Sequence, residues 1–172
     1  LPDKKTFLRE PLLKRREMKM DFESIEDIIT YAVAKEREAA EFYENLSKNE
    51  EFSVAKKTFA EFAIEERKHE ALFADLGSDL GKLDSYEYKW IPDIKRSNYM
   101  TELTYEPGMA YVDILRMAMK REEQALRFYN DIGAKVQDKQ FIKVCNFLAQ
   151  EEAKHKNILE TIYDDHMAQM GD

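Results

Sequence analysis

The chain has 172 residues, 44% apolar and 36% charged, with only five Gly and four Pro. That is the length of one domain with a buried core and the composition of long amphipathic helices, and it argues against a sandwich or barrel. The lone cysteine, Cys145, excludes an internal disulfide and any multi-cysteine zinc or iron–sulfur site, while the net charge of −8 marks an acidic protein, poorly suited to nucleic acid and favourable to divalent cations.

Residues 1–20 stand apart from this acidic body. They carry seven Lys/Arg against three Asp/Glu, a net +4 that leaves −12 on residues 21–172. We read them as a basic N-terminal arm or extension preceding a single domain over 21–172. No run approaches the roughly eighteen apolar residues of a membrane span. The charged N-terminal stretch has no secretory pattern, and with one cysteine the expected setting is cytoplasmic.

A first helix is predicted from Ser24, where Ser24-Ile25-Glu26-Asp27 has the form of a capping box. Ile25, Ile28, Ile29, Ala32, Val33, Glu36, Ala39, Tyr43 and Leu46 trace one face of it at helical spacing. Glu36 lies inside that apolar stripe, where a carboxylate is costly unless paired or metal-bound. A break near 48–52 leads to a second helix, capped by Ser53 and running to about Leu76, whose inward face carries Phe59, Phe62, Glu66, His69 and Phe73. Residues 77–109 hold Gly77, Gly81, Pro92, Pro107 and Gly108 and the only tryptophan, Trp90. A connection this long fits a crossover running the length of a bundle, with room for a short helix, better than a tight turn. A third helix is predicted over about Met109–Lys135 and a fourth over about Lys139–Met167.

The second half repeats the first. A shift of 86 positions lays Ile28 on Ile114, Ala32 on Ala118, Ala39 on Ala125, Phe42-Tyr43 on Phe128-Tyr129 and Ala63 on Ala149. It also lays Glu36 on Glu122 and the Glu-x-x-His unit Glu66/His69 on Glu152/His155. This is a two-fold repeat of helical hairpins. In each hairpin the lone glutamate and the Glu-x-x-His unit are about thirteen residues from the break, or ~20 Å at ~1.5 Å per residue, so they meet at one height.

Four glutamates and two histidines on inward faces suit a pair of first-row metals, since carboxylates can bridge two ions and each imidazole gives one neutral nitrogen. Four carboxylates also balance two divalent ions. Without metal they would repel one another in an apolar core and some would take up protons, so metal binding is expected to stabilise the fold. Two helices each giving a Glu and two each giving Glu-x-x-His is the arrangement of di-iron carboxylate bundles. The expected ligands are Glu36, Glu66, His69, Glu122, Glu152 and His155, with Glu66 and Glu152 bridging and Glu36 and Glu122 each capping one ion. Tyr43 and Tyr129, two turns beyond the capping glutamates, are expected either to pack in the core or to donate hydrogen bonds to ligand carboxylates. Cys145, which aligns with Phe59, reads as a small core residue, His166 as a surface histidine, and Glu65 and Glu151 as solvated or ion-paired.

On these residues the chain resembles the rubrerythrin branch of the ferritin-like superfamily over about residues 22–168. The resemblance implies an all-α, ferritin-like antiparallel four-helix bundle with a long crossover between the second and third helices. It also implies two iron ions at the six ligands, manganese, zinc or a mixed pair being the other metals such a set accepts. The implied activity is that of an oxidoreductase reducing hydrogen peroxide or dioxygen, with iron handling by ferroxidation as the alternative, in a homodimer or larger homo-oligomer. Rubrerythrins typically carry a rubredoxin domain with two Cys-x-x-Cys pairs. None is present in these residues, so the expected electron donor is a separate protein such as a rubredoxin. Typical members also have a further carboxylate one turn after the third-helix ligand. Here that position is Ala125, which leaves six ligands, closer to a bacterioferritin-type ferroxidase centre.

Overall fold

The computed structural model describes residues 22–51, 53–95, 97 and 100–171; the basic arm over 1–20 lies outside them. Among the described residues there are four α-helices: α1 (Ile25–Asn49), α2 (Ser53–Ser78), α3 (Tyr111–Lys135) and α4 (Lys139–Gln169). No strand occurs among the described residues, and no helix is long and apolar enough to cross a membrane.

Local chemistry sets the boundaries. The Ser24 hydroxyl accepts from the Asp27 amide and the Asp27 carboxylate accepts from the Ser24 amide, both at 3.1 Å, completing the capping box. Asp138 caps α4 by accepting from the Phe141 amide at 2.8 Å. Ser53 is the first residue of α2 rather than its cap. The third helix begins two residues later than the pattern predicted, at Tyr111, after an Ala110 cap that offers no side-chain acceptor. The buried face of α1 consists of Ile28, Ile29, Ala32, Glu36, Ala39, Ala40, Tyr43 and Leu46; it keeps the predicted stripe and its glutamate except that Ile25 and Val33 are half-buried and Ala40 joins it.

Two apolar clusters fix the topology. One joins Tyr43 and Leu46 of α1 to Phe59 and Phe62 of α2, Ile114 and Leu115 of α3, and Leu159 and Tyr163 of α4. The other joins the start of α1 (Ile28, Ile29), the end of α2 (Phe73, Leu76), Tyr129 of α3 and the start of α4 (Phe141, Val144). Each hairpin is therefore antiparallel, α1 also runs against α3, and α2 and α3 are parallel. At the second cluster Gly133 admits a close helix approach: a Cβ there would lie 3.1 Å from the Cβ of Cys145.

Because α2 ends and α3 begins at opposite ends of the bundle, residues 79–110 must span its length. They include a 3-10 turn, Leu80–Ser85, capped by Asp79, and then lie along α4. Tyr88 donates to the Lys143 carbonyl (3.3 Å), Gln150 to the Lys89 carbonyl (2.8 Å) and Asn157 to the Pro92 carbonyl (2.9 Å). Farther along, the fully buried Glu160 accepts from the Ser97 hydroxyl at 3.0 Å and pairs with Lys156 at 3.3 Å, which reaches Asp93 at 2.6 Å. This polar seam holds the connection to the bundle.

Candidate metal centre

Between the two apolar clusters the bundle core turns polar. Glu36, Glu66, His69, Glu122, Glu152 and His155 are only 2–8% exposed. Their burial follows from the helical period, which sets each glutamate among core residues of its own helix, three or four positions from the nearest. All six predicted residues come together. Donor atoms of Glu36, His69 and Glu152 lie within 4.8 Å of one another, as do those of Glu122, Glu152 and His155, and those of Glu66, His69 and His155. Glu152 is common to the first two groups and Glu66 joins both histidines.

The histidines face each other with rings stacked at a centroid distance of 3.8 Å and 6° between planes. His69 Nδ1 lies 3.2 Å from Glu36 Oε2. His155 Nδ1 lies 3.6 Å from Glu66 Oε2 and 3.9 Å from Glu122 Oε2. Both Nδ1 atoms thus point into the carboxylate cluster. Away from it, His69 Nε2 meets Glu151 Oε2 at 3.3 Å.

The cluster titrates abnormally, in the way crowded carboxyls should. Burial, followed by the charges of Glu122 and Glu36, pushes Glu66 well above the usual range, with a hydrogen bond to Glu36 adding to the shift. Burial does the same to Glu152, reinforced by Glu36 and Glu122. Glu122 is also raised by burial, against the lowering effect of its hydrogen bond with Glu152. Some of these carboxyls therefore hold protons in the absence of metal. For His69 burial works downward, but hydrogen bonds to Glu151 and Glu36 outweigh it and lift the imidazole to about 9. Burial and the neighbouring His69 charge push His155 down to about 3.

Tyr43 and Tyr129 are buried beside the cluster. Tyr43 packs on Phe42, Phe59 and Phe62, and Tyr129 on Phe128. Among the described residues neither hydroxyl makes a hydrogen bond. Burial raises both phenols, helped at Tyr43 by the charges of Glu66 and Glu122 and at Tyr129 by those of Glu152 and Glu36.

Two residues beside the cluster are buried, which the sequence pattern did not indicate. Glu151 is 6% exposed and binds His69, the Tyr86 hydroxyl and, at 2.6 Å, Lys154 Nζ. Burial alone would raise it, yet the hydrogen bonds from His69, Lys154 and Tyr86 bring it down to about 2. Its repeat mate, Glu65, is exposed and among the described residues pairs only with Lys68, at 2.6 Å. The two have the same local pattern, Glu-Glu-x-Lys-His. Only the connection, which sets Tyr86 over the α2–α4 side, separates a buried buttress from a solvated carboxylate. Glu123, beside Glu122, is also buried and forms ion pairs with Lys120, at 2.7 Å, and with Arg127, facing away from the cluster. Cys145 sits in the core, and burial raises its thiol to about 11. His166 is half-buried, edge-on to Tyr111 at 4.9 Å, not a free surface histidine.

A family model described as Rubrerythrin matches residues 27–163, which contain all six residues of the cluster. A solved structure titled a hypothetical protein from Pyrococcus furiosus is similar at 27% identity, with a TM-score of 0.53, over 85% of this chain and 92% of that one. No curated protein matches the chain.

Proposed function

The chain belongs to the rubrerythrin family, and from that premise we propose that it is a non-haem di-iron oxidoreductase, reducing hydrogen peroxide or dioxygen with electrons from an external donor such as a rubredoxin. The observation that carries this reading is the set of three overlapping donor groups in the buried centre of the bundle. Their chemistry fits two iron ions: four carboxylates to balance two divalent charges, and one imidazole nitrogen for each. Glu152 Oε1 is buried without a hydrogen-bond partner among the described residues, a cost that a cation would remove. Glu36 and His69 would hold one ion and Glu122 and His155 the other, with Glu66 and Glu152 shared between them. When bound, the two ferrous ions supply the two electrons that, with two protons, turn hydrogen peroxide into two waters.

The residues of this chain would bind the ions and orient their ligands. Glu151 holds the Nε2 proton of His69 and so leaves Nδ1 free to face the ions. The apolar clusters on either side seal the site along the bundle axis. Burial and the neighbouring carboxylates favour the protonated forms of Glu66 and Glu152 in the metal-free protein, and any protons held there would be released as metal enters.

A second reading, ferroxidation for iron storage or handling, uses the same six ligands. It is favoured by Ala125, which stands where a seventh carboxylate would be needed. Stopped-flow mixing of the anaerobic ferrous protein with peroxide or with air separates the two. The peroxidase reading expects rapid oxidation of two irons per chain, faster with peroxide than with air and lost in Glu66→Ala. Faster oxidation by air, followed by uptake far beyond two irons, would replace it with ferroxidation.

A further inference from the structure

A cavity of about 360 Å³ opens between α1 and α3 directly over the carboxylate cluster. Its floor is Glu36, Glu66, Glu122 and Glu152, and its walls include Tyr31 and Ala39 of α1 and Ala125 and Phe128 of α3. A water molecule's share of the liquid is about 30 Å³, so peroxide or dioxygen needs only a small part of this space. The volume falls in the range of pockets that take small organic molecules, about 300–1,000 Å³. Two features shape it: the repeat places small alanines at Ala39 of α1 and Ala125 of α3 in its lining, and aromatic rings line part of it. Tyr31 and Phe128 pack together there with ring centroids 5.1 Å apart, and Phe22 meets both edge-on.

The charged wall residues are Lys35, Glu38 and Arg121. Lys35 and Glu38 form an exposed pair at 2.7 Å, of the kind that contributes little and rearranges easily. Arg121 is half-buried and stacks over Phe42 at 5.1 Å. It makes no hydrogen bond or ion pair among the described residues, so a guanidinium with all five donors free stands in the wall.

We propose that this cleft binds a small organic anion, its carboxylate held by Arg121 and Lys35 and its apolar body seated between Tyr31, Phe128, Ala39 and Ala125. The inference rests on the di-metal reading of the floor. Those carboxylates of the metal-free floor that keep their charge would repel an anion, whereas the same floor balanced by two divalent ions would not. Ligand and metal therefore bind with positive linkage.

Benzoate is a suitable probe, with benzamide as its neutral isostere, titrated calorimetrically into the anaerobic protein whose metal content has been counted. One benzoate binds per metal-loaded chain, at least about tenfold more tightly than benzamide, the difference a charge-assisted hydrogen bond makes. Metal-free protein binds benzoate more weakly than the metal-loaded chain does, while binding of the uncharged benzamide is unchanged. Arg121→Gln brings benzoate to the benzamide level, and Ala125→Leu removes both by filling the cavity. Absence of saturable benzoate binding to protein with two metals per chain overturns the proposal, and so does undiminished binding in Arg121→Gln. Phosphate binding as tight as benzoate overturns the organic class of the ligand. Failure of wild-type protein to hold two metals defeats instead the di-metal reading beneath it.

Discussion

Glu151 and Glu65 occupy equivalent positions in the repeat, yet their substitution should have very different consequences. Glu151→Ala removes the buried acceptor of His69 Nε2 (3.3 Å), of Lys154 (2.6 Å) and of the Tyr86 hydroxyl. His69 then loses the bond that fixes its ring and keeps Nδ1 facing inward. Loss of such an outer partner typically lowers metal affinity about 10–100-fold, or ~1.4–2.8 kcal/mol. Glu65→Ala removes only an exposed pair with Lys68, and affinity should stay within about threefold of wild type. Because Glu151 touches His69 and not His155, the loss falls on one of two metals, so a chelator-competition titration of Glu151→Ala should resolve one tight and one weakened ion. Glu151→Gln, which retains an acceptor oxygen for His69, should lie between. Equal weakening of both ions in Glu151→Ala, or equal effects of Glu151→Ala and Glu65→Ala, would refute the one-sided buttress.

The metal-free protein should lose stability as pH rises from 6.5 to 9. Folded His69, lifted to about 9, keeps a proton that its unfolded counterpart releases near 6.5, a contribution of roughly 3 kcal/mol below that window and lost through it. Glu66 and Glu152, raised by burial, act with the same sign, while the lowered groups, His155 at about 3 and Glu151 at about 2, change stability only below pH 6.5; urea denaturation across this range measures the slope, and a rise would contradict these assignments. Metal filling both sites should raise the melting temperature, by ~4 kcal/mol of stabilisation for each ion when free metal is a thousandfold above Kd, and an unchanged calorimetric midpoint would count against the cluster. Glu160→Ala should cost about 2 kcal/mol in denaturant, since Lys156 keeps Asp93 but Ser97 loses its acceptor.

The cluster was legible in the sequence because burying a carboxylate on a helix leaves a mark: Glu36 interrupts an apolar stripe, and the 86-residue repeat shows the same interruption at Glu122. Helical period then sufficed to bring the six residues to one level. Glu151 was not legible, because its local pattern is that of Glu65. Its burial depends on Tyr86, 65 residues earlier, in a stretch without helical periodicity. Glu160 was hidden for the same reason, since its partner Ser97 lies in that connection. The cleft over the site could not be read either. Alanines at 39 and 125 look like ordinary helix residues until α1 and α3 are set side by side.

The most direct test of the central claim is an anaerobic titration of the metal-free protein with ferrous iron in competition with a chromophoric chelator. The account predicts tight binding that ends at two irons per chain, and its loss in Glu66→Ala and Glu152→Ala while circular dichroism shows both variants still helical. Iron binding that never saturates at two per chain, or tight binding unaffected by either substitution, would contradict it.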